Sequence, residues 1–197
     1  QKQSLGKVNK YDIINLEPGV EYTFILKAVS GVELSSEKNI TAQTAIGGTQ
    51  VQEVSVSENS ITVKWTKPNG YVSGFQLFIN PNDGNAQLPL SVTSSILQYT
   101  FGGLRPGRTY TISVIVKAGA VSSDTATRQF ITLPKAVLNL AATTDWTDRM
   151  RLTWQIDSTS SQDSFVVEYS TGGGSVKTQN TVGTATTQVI TGLKPGA

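Results

Sequence analysis

The stretch Leu104-Arg105-Pro106-Gly107-Arg108-Thr109-Tyr110 decides the reading of this chain, because it joins a turn to a strand. Pro106 presets its own φ, and Gly107 tolerates the backbone of a tight turn. From Tyr110 onward, Tyr110, Ile112, Val114 and Val116 alternate with Thr111, Ser113, Ile115 and Lys117. That period of two describes an antiparallel strand with one face buried and one wet. The signature recurs as Leu16-Glu17-Pro18-Gly19-Val20-Glu21-Tyr22 and as Leu193-Lys194-Pro195-Gly196-Ala197. The leucines stand 88 and 89 residues apart (104 less 16, then 193 less 104). An independent marker keeps the step: Trp65 ends Ile61-Thr62-Val63-Lys64-Trp65, Trp154 ends Met150-Arg151-Leu152-Thr153-Trp154, and 154 less 65 is 89. Solenoid repeats run roughly 20–50 residues, so a step this long is a whole domain and the chain is a string of modules.

This frame divides the 197 residues into three segments. Residues 47–133 hold a complete module, 1–46 the C-terminal part of one, and 134–197 the N-terminal part of another. The linkers are Ala45-Ile46-Gly47-Gly48 and Leu133-Pro134-Lys135. Pro134 fixes its φ and restricts Leu133, so bending is expected to be limited there and freer at Gly47-Gly48.

The complete module reads as seven short strands. Ile61, Val63 and Trp65 alternate with Thr62, Lys64 and Thr66; Phe75, Leu77 and Ile79 alternate with Gln76, Phe78 and Asn80. Asn69-Gly70 and Asn82-Asp83-Gly84-Asn85 supply turns. The third segment repeats the frame in Met150, Leu152, Trp154, then Phe165, Val167, Tyr169, and the first in Tyr22, Phe24, Leu26 and Ala28. Two such sheets face to face make a sandwich. Trp65, Tyr110, Trp154 and Tyr22 are its expected core anchors, with the hydroxyls of Tyr22 and Tyr110 bonded to backbone a few residues upstream, as a tyrosine corner.

Composition excludes several kinds of chemistry. Hydrophobic residues make up 38% and charged residues 15%, the balance favouring short strands and turns over helices. The chain has no Cys and no His, which removes thiol catalysis, disulfides, thiolate zinc sites and imidazole bases. No catalytic residue, metal ligand or cofactor site is expected. A net charge of +2 is too weak to imply nucleic acid. No apolar run approaches the ~20 residues that span a bilayer, and Gln1-Lys2-Gln3-Ser4 has no signal-peptide character. If the protein is exported, the chain is expected to be the interior of something longer.

In order and spacing, the Trp strand, the aromatic-x-apolar strand and the Leu-x-Pro-Gly-x-x-Tyr corner resemble fibronectin type III repeats over essentially the whole chain. The resemblance implies an all-β fold of tandem immunoglobulin-like seven-stranded β-sandwiches. It is specific for fold and poor for function, because such modules host many binding roles. Ser30-Gly31, Ala118-Gly119, Gly70-Tyr71-Val72-Ser73-Gly74-Phe75 and Thr132-Leu133-Pro134-Lys135-Ala136-Val137 resemble, more finely, receptor-type tyrosine phosphatases whose ectodomains contain only these repeats. Matrix proteins of the tenascin and fibronectin kind share the rest. On the phosphatase reading, catalysis lies elsewhere, since no Cys here can act as nucleophile.

Few residues stand out as sites. Asn39-Ile40-Thr41 is the one glycosylation sequon; a glycan on Asn39 is expected if the chain is extracellular, an unmodified strand residue otherwise. The loops 31–36 and 119–124 contain no Arg-Gly-Asp. Lys2, Lys7 and Lys10, Arg105 and Arg108, and Arg149 and Arg151 form a stripe that a heparin-like polyanion could use; a solvated surface is the expected reading. Trp146, in Thr144-Asp145-Trp146-Thr147-Asp148, is a candidate protein contact, although packing against a neighbouring module or the sandwich edge is expected more strongly. Asp83, Asp157 and Asp163 are expected to be solvated turn formers, not glycosidase carboxylates or calcium ligands. The partial end segments are roughly complementary, which raises strand exchange between the head of one copy and the tail of another.

The leading expectation is therefore an extracellular segment of a cell-surface receptor, of the receptor-type phosphatase kind, that recognises a protein ligand and spaces other modules. The alternatives are a segment of an extracellular-matrix or adhesion protein, and a spacer module of a secreted microbial enzyme. None involves membrane insertion by this segment.

Overall fold

A computed structural model describes residues 8–84, 86–170 and 174–193, and every regular element among them is a β-strand. Lys2, Lys7 and the stretch 194–197 of the third Pro-Gly signature lie outside the described residues.

The middle segment closes into a two-layered sandwich. One sheet orders β5 (Gln52–Val56), β6 (Ser60–Lys64) and β9 (Gln98–Gly102). The facing sheet is built on β10 (Thr109–Ala118). On one side β10 pairs β7 (Gly74–Asn80), which carries β8 (Leu90–Thr93) at its far edge; on the other it pairs the two-residue β11 (Val121–Ser122) and β12 (Ala126–Ile131). Seven longer strands plus β11 give the expected sandwich. The alternation read from the sequence places Ile61, Val63, Trp65, Phe75, Leu77, Ile79, Tyr110, Ile112, Val114 and Val116 in one buried cluster. Trp65 meets Phe75 edge-on, with ring centroids 5.6 Å apart. Thr62, expected on a wet face, is buried as well: β6 is the central strand of its sheet, and Thr62 shares a 2.8 Å hydroxyl contact with Thr100 on β9.

The third segment contributes β13 (Leu138–Trp146), β14 (Arg149–Gln155), β15 (Ser164–Tyr169), β16 (Lys177–Val182) and β17 (Thr187–Thr191). One sheet orders β13-β14-β17 and a second pairs β15 with β16. Trp154 and Ile190 are buried between them, and Trp154 meets Phe165 at 5.4 Å in the same edge-on manner as Trp65 meets Phe75.

The first segment holds β1 (Glu21–Leu26) paired with β4 (Lys38–Gln43), and a small hairpin of β2 (Val29–Ser30) and β3 (Glu33–Leu34). Here burial departs from the expectation. Tyr22 and Phe24 are only half-buried, Ala28 is exposed and Leu26 is 69% exposed, because no second sheet among the described residues covers their face. In the middle sandwich the facing β5-β6-β9 sheet, with Trp65, does that work for β10. Ile46, at the end of this segment, is buried in the middle core instead, so the Ala45-Ile46-Gly47-Gly48 linker is anchored where freedom was expected.

Candidate functional site

The Pro-Gly corner is the most densely bonded feature of the chain, and it recurs atom for atom at a step of 88. Tyr110 accepts at its hydroxyl from the Arg105 N–H (2.7 Å), as Tyr22 accepts from the Glu17 N–H (2.8 Å). Thr132 donates its hydroxyl to the Arg105 carbonyl (2.6 Å) and accepts from the Arg108 N–H (2.9 Å). Thr44 does the same with Glu17 and Val20 (2.7 and 3.0 Å). Ser123 accepts from the Val116 N–H, and Ser35 from the Ala28 N–H. These hydroxyls tie the corner and the hairpin to the last strand of each module. Sequence reasoning missed all four, although Thr44/Thr132 and Ser35/Ser123 keep the same 88-residue step as the leucines.

Asp83, expected to be a solvated turn residue, joins this network. Its carboxylate accepts from the Tyr110 hydroxyl (2.5 Å) and takes both oxygens to Arg108 Nη1 (3.0 and 2.9 Å), with Arg105 Nε 3.7 Å away. The turn 81–84 folds onto the corner, leaving the Asp83 side chain only 14% exposed. Burial first, and the bond to Asp83 second, raise the Tyr110 phenol above its usual 10.0. A folded-state value above the unfolded one means the stability is fully present below pH 10 and is lost as pH climbs through the raised value. Phenolate absorbance is therefore expected to show a step above pH 10 that accompanies alkaline unfolding, and Tyr110→Phe should delete that step. An absorbance titration that Tyr110→Phe leaves unchanged above pH 10 would contradict the network.

Asp157 is likewise no free turn former. The Thr159 hydroxyl, then Lys135 Nζ at 2.9 Å, hold its carboxyl down at about 2. Its charge is complete above the usual 3.8 and is lost as pH falls through about 2. Lys135 thereby fastens the start of the third module to the loop 157–161, where its N–H also meets Ser160 Oγ (3.0 Å). An open cleft of about 930 Å³ lies between the middle and third modules, bordered by Glu58, Arg105, Arg108, Lys135 and Thr159. Its cations already face carboxylates, Arg105 and Arg108 on Asp83 and Lys135 on Asp157.

The remaining stripe is paired too: Lys10 lies 3.6 Å from Asp12, Arg149 3.6 Å from Asp148 and Arg151 2.8 Å from Asp145. Paired surface charges leave little uncompensated field for a polyanion. Among the described residues no neighbouring module covers Trp146. It stands 68% exposed at the β13–β14 turn, covered on one face by the Arg149 guanidinium at 5.7 Å. Asn39 is exposed on β4 opposite Ile25, on the face away from Tyr22 and Phe24. Among the described residues no group of three His, Cys, Asp or Glu side chains is placed to hold a metal ion, and no helix is long and apolar enough to cross a membrane.

Comparison with known proteins places these modules. The sequence profile of the Fibronectin type III domain matches residues 45–130. Tenascin-R of Gallus gallus is 30% identical over 195 residues, 96% of this chain and 14% of that protein. Tenascin-N of Homo sapiens is 29% identical over 199 residues, 98% of this chain and 15% of that protein. The chain thus spans about a seventh of the curated relatives it matches. Among solved structures, a two fibronectin type-III domain segment from chicken tenascin superposes with a TM-score of 0.51 over 76% of this chain and 85% of the other, at 19% identity, a likeness of fold. The chain is a tandem array of fibronectin type III β-sandwich modules.

Proposed function

We propose that this chain is an extracellular segment of a matrix or adhesion protein, in which fibronectin type III modules present protein-binding surfaces and set the spacing between them. Fibronectin type III repeats are non-catalytic modules, and this segment is not an enzyme. One observation carries the reading: similarity to tenascins runs over 96–98% of the chain, through both linkers, and not only over the complete module. That supports the matrix reading over the receptor-phosphatase one, which was the leading expectation from sequence. The surface fits the role, because large apolar side chains such as Val32, Ile40 and Leu140 stand exposed among the described residues, and Trp146 is the most exposed of the exposed aromatics. Trp146 is the side chain best suited to anchor a protein ligand: a large ring, 68% exposed, at the β13–β14 hairpin with the Arg149 guanidinium over one face.

The test is cell attachment in serum-free medium to surfaces coated with the chain at graded density. Saturable attachment above an albumin surface, reduced by Trp146→Ala without loss of folding, is the expected result. Attachment indistinguishable from albumin at every density would overturn the adhesive reading. Secretion from a eukaryotic host should add a glycan to Asn39, seen as a mass increment that Asn39→Gln removes; an unmodified secreted chain would show that the sequon is idle.

A further inference from the structure

The two linkers differ in sequence, yet the modules on either side of them meet through the same pair of backbone groups. At the first joint the Tyr71 N–H, in the loop before β7, donates to the Pro18 carbonyl of the preceding module (2.9 Å). At the second the Ser161 N–H, in the loop before β15, donates to the Pro106 carbonyl (3.0 Å). The prolines are 88 residues apart and the donors 90 (106 less 18, 161 less 71). The same two residues return their carbonyl groups to the neighbouring glycines: a Cβ on Gly19 would overlap the Tyr71 oxygen, and a Cβ on Gly107 would overlap the Ser161 oxygen. Both glycines also sit at positive φ, +74° and +69°.

We infer that the Pro-Gly corner is a docking element between modules as well as a turn within one, so that the array advances by a repeated, fixed step. The proline offers a carbonyl, the glycine offers a face without a side chain, and the loop ahead of the third strand of the next module closes on both. Because donor and acceptor are backbone, the loop side chain is free to vary: Tyr71 is 52% exposed and Ser161 is exposed. Each joint adds its own reinforcement. Gln43 Nε2 bridges the Gly19 and Ala118 carbonyls (2.8 and 2.5 Å) at the first. At the second, the Leu133 N–H bonds the Ser57 carbonyl (3.0 Å), while at both joints the corner glycine N–H bonds a linker carbonyl, Gly19 to Ala45 and Gly107 to Leu133 (3.1 Å each), fixing the linker against the module it leaves. The inference stands on joint geometry alone and holds whether or not the array is adhesive.

The chain has no native cysteine, so a spin-label pair can be placed cleanly at Glu53→Cys and Thr178→Cys, exposed strand positions in the middle and third modules. Pulsed electron spin resonance should give one narrow distance distribution. Ser161→Pro, which removes the donor N–H, should broaden or displace it, and so should a Gly-Gly insertion between Leu133 and Pro134, which alters neither module. If Ser161→Pro unfolds the third module by circular dichroism, Gly107→Ala serves in its place. A broad distribution in the parent pair would overturn the inference. So would a distribution that moves on insertion but not on loss of the donor, since the linker alone would then set the geometry.

Discussion

Trp65→Ala is expected to destabilise the middle module by about 3–5 kcal/mol in denaturant melts, the usual cost of emptying a large aromatic from a core. Trp65 is 3% exposed, caps the Phe75 ring and lies over the strand that carries Tyr110. A module of this size holds about 5–15 kcal/mol in all, so one at the low end of that range should lose much of its folded population. Trp65→Phe should cost far less. It retains a ring in the cavity, and the indole N–H that it deletes has no hydrogen-bond partner among the described residues. Trp154 repeats both features in the third module, with a buried unpartnered N–H and an edge-on Phe165, and should rank Ala and Phe in the same order. A cost below about 1 kcal/mol for Trp65→Ala, the range typical of substitutions away from a core, would show that the ring does not organise the sandwich.

Asp83→Ala is the second large effect, at roughly 2–3 kcal/mol, because one change strips the Tyr110 hydroxyl of its acceptor and leaves the Arg108 guanidinium without its two-oxygen partner. Arg108 is 38% exposed and recovers part of its loss by hydration, which keeps the figure below that of a fully buried ion pair. Tyr110→Phe should cost about 1–2 kcal/mol, because its ring stays packed while two hydrogen bonds, to Asp83 and from the Arg105 N–H, are lost. The two changes share one bond, so the double variant should be less destabilised than the single effects added together, by roughly 0.5–2 kcal/mol. Strict additivity would mean that Asp83 and Tyr110 do not act on each other.

What could be read in advance follows a physical division. Period-two alternation reports which face of a strand is buried, and it located Ile61, Val63, Phe75, Leu77, Ile112 and Val114 because each of them meets a facing sheet. The same alternation overstates burial at Tyr22, Leu26 and Ala28, where the pattern exists but no facing layer does among the described residues. The Pro-Gly-x-x-Tyr spacing exposes the corner, since turn and aromatic are local. Asp83 was hidden: an aspartate in an Asn-Asp-Gly-Asn turn looks self-sufficient, and nothing local records that the turn folds back upon Arg108. Trp146 was legible only as a candidate, because an isolated tryptophan near a turn carries no mark of whether a module covers it. The joints left no sequence trace beyond Gly19 and Gly107, as their bonds run between main-chain groups.

The account centres on one closed sandwich, residues 47–133, with a continuous core. Amide hydrogen exchange across the whole chain tests it most directly. The slowest exchange should fall together in β6, β7 and β10, open as one cooperative unit, and be followed by faster exchange in the β1–β4 pair. Exchange in β7 or β10 at the rate of an unstructured peptide, or equal protection of β1 and β10, would contradict it.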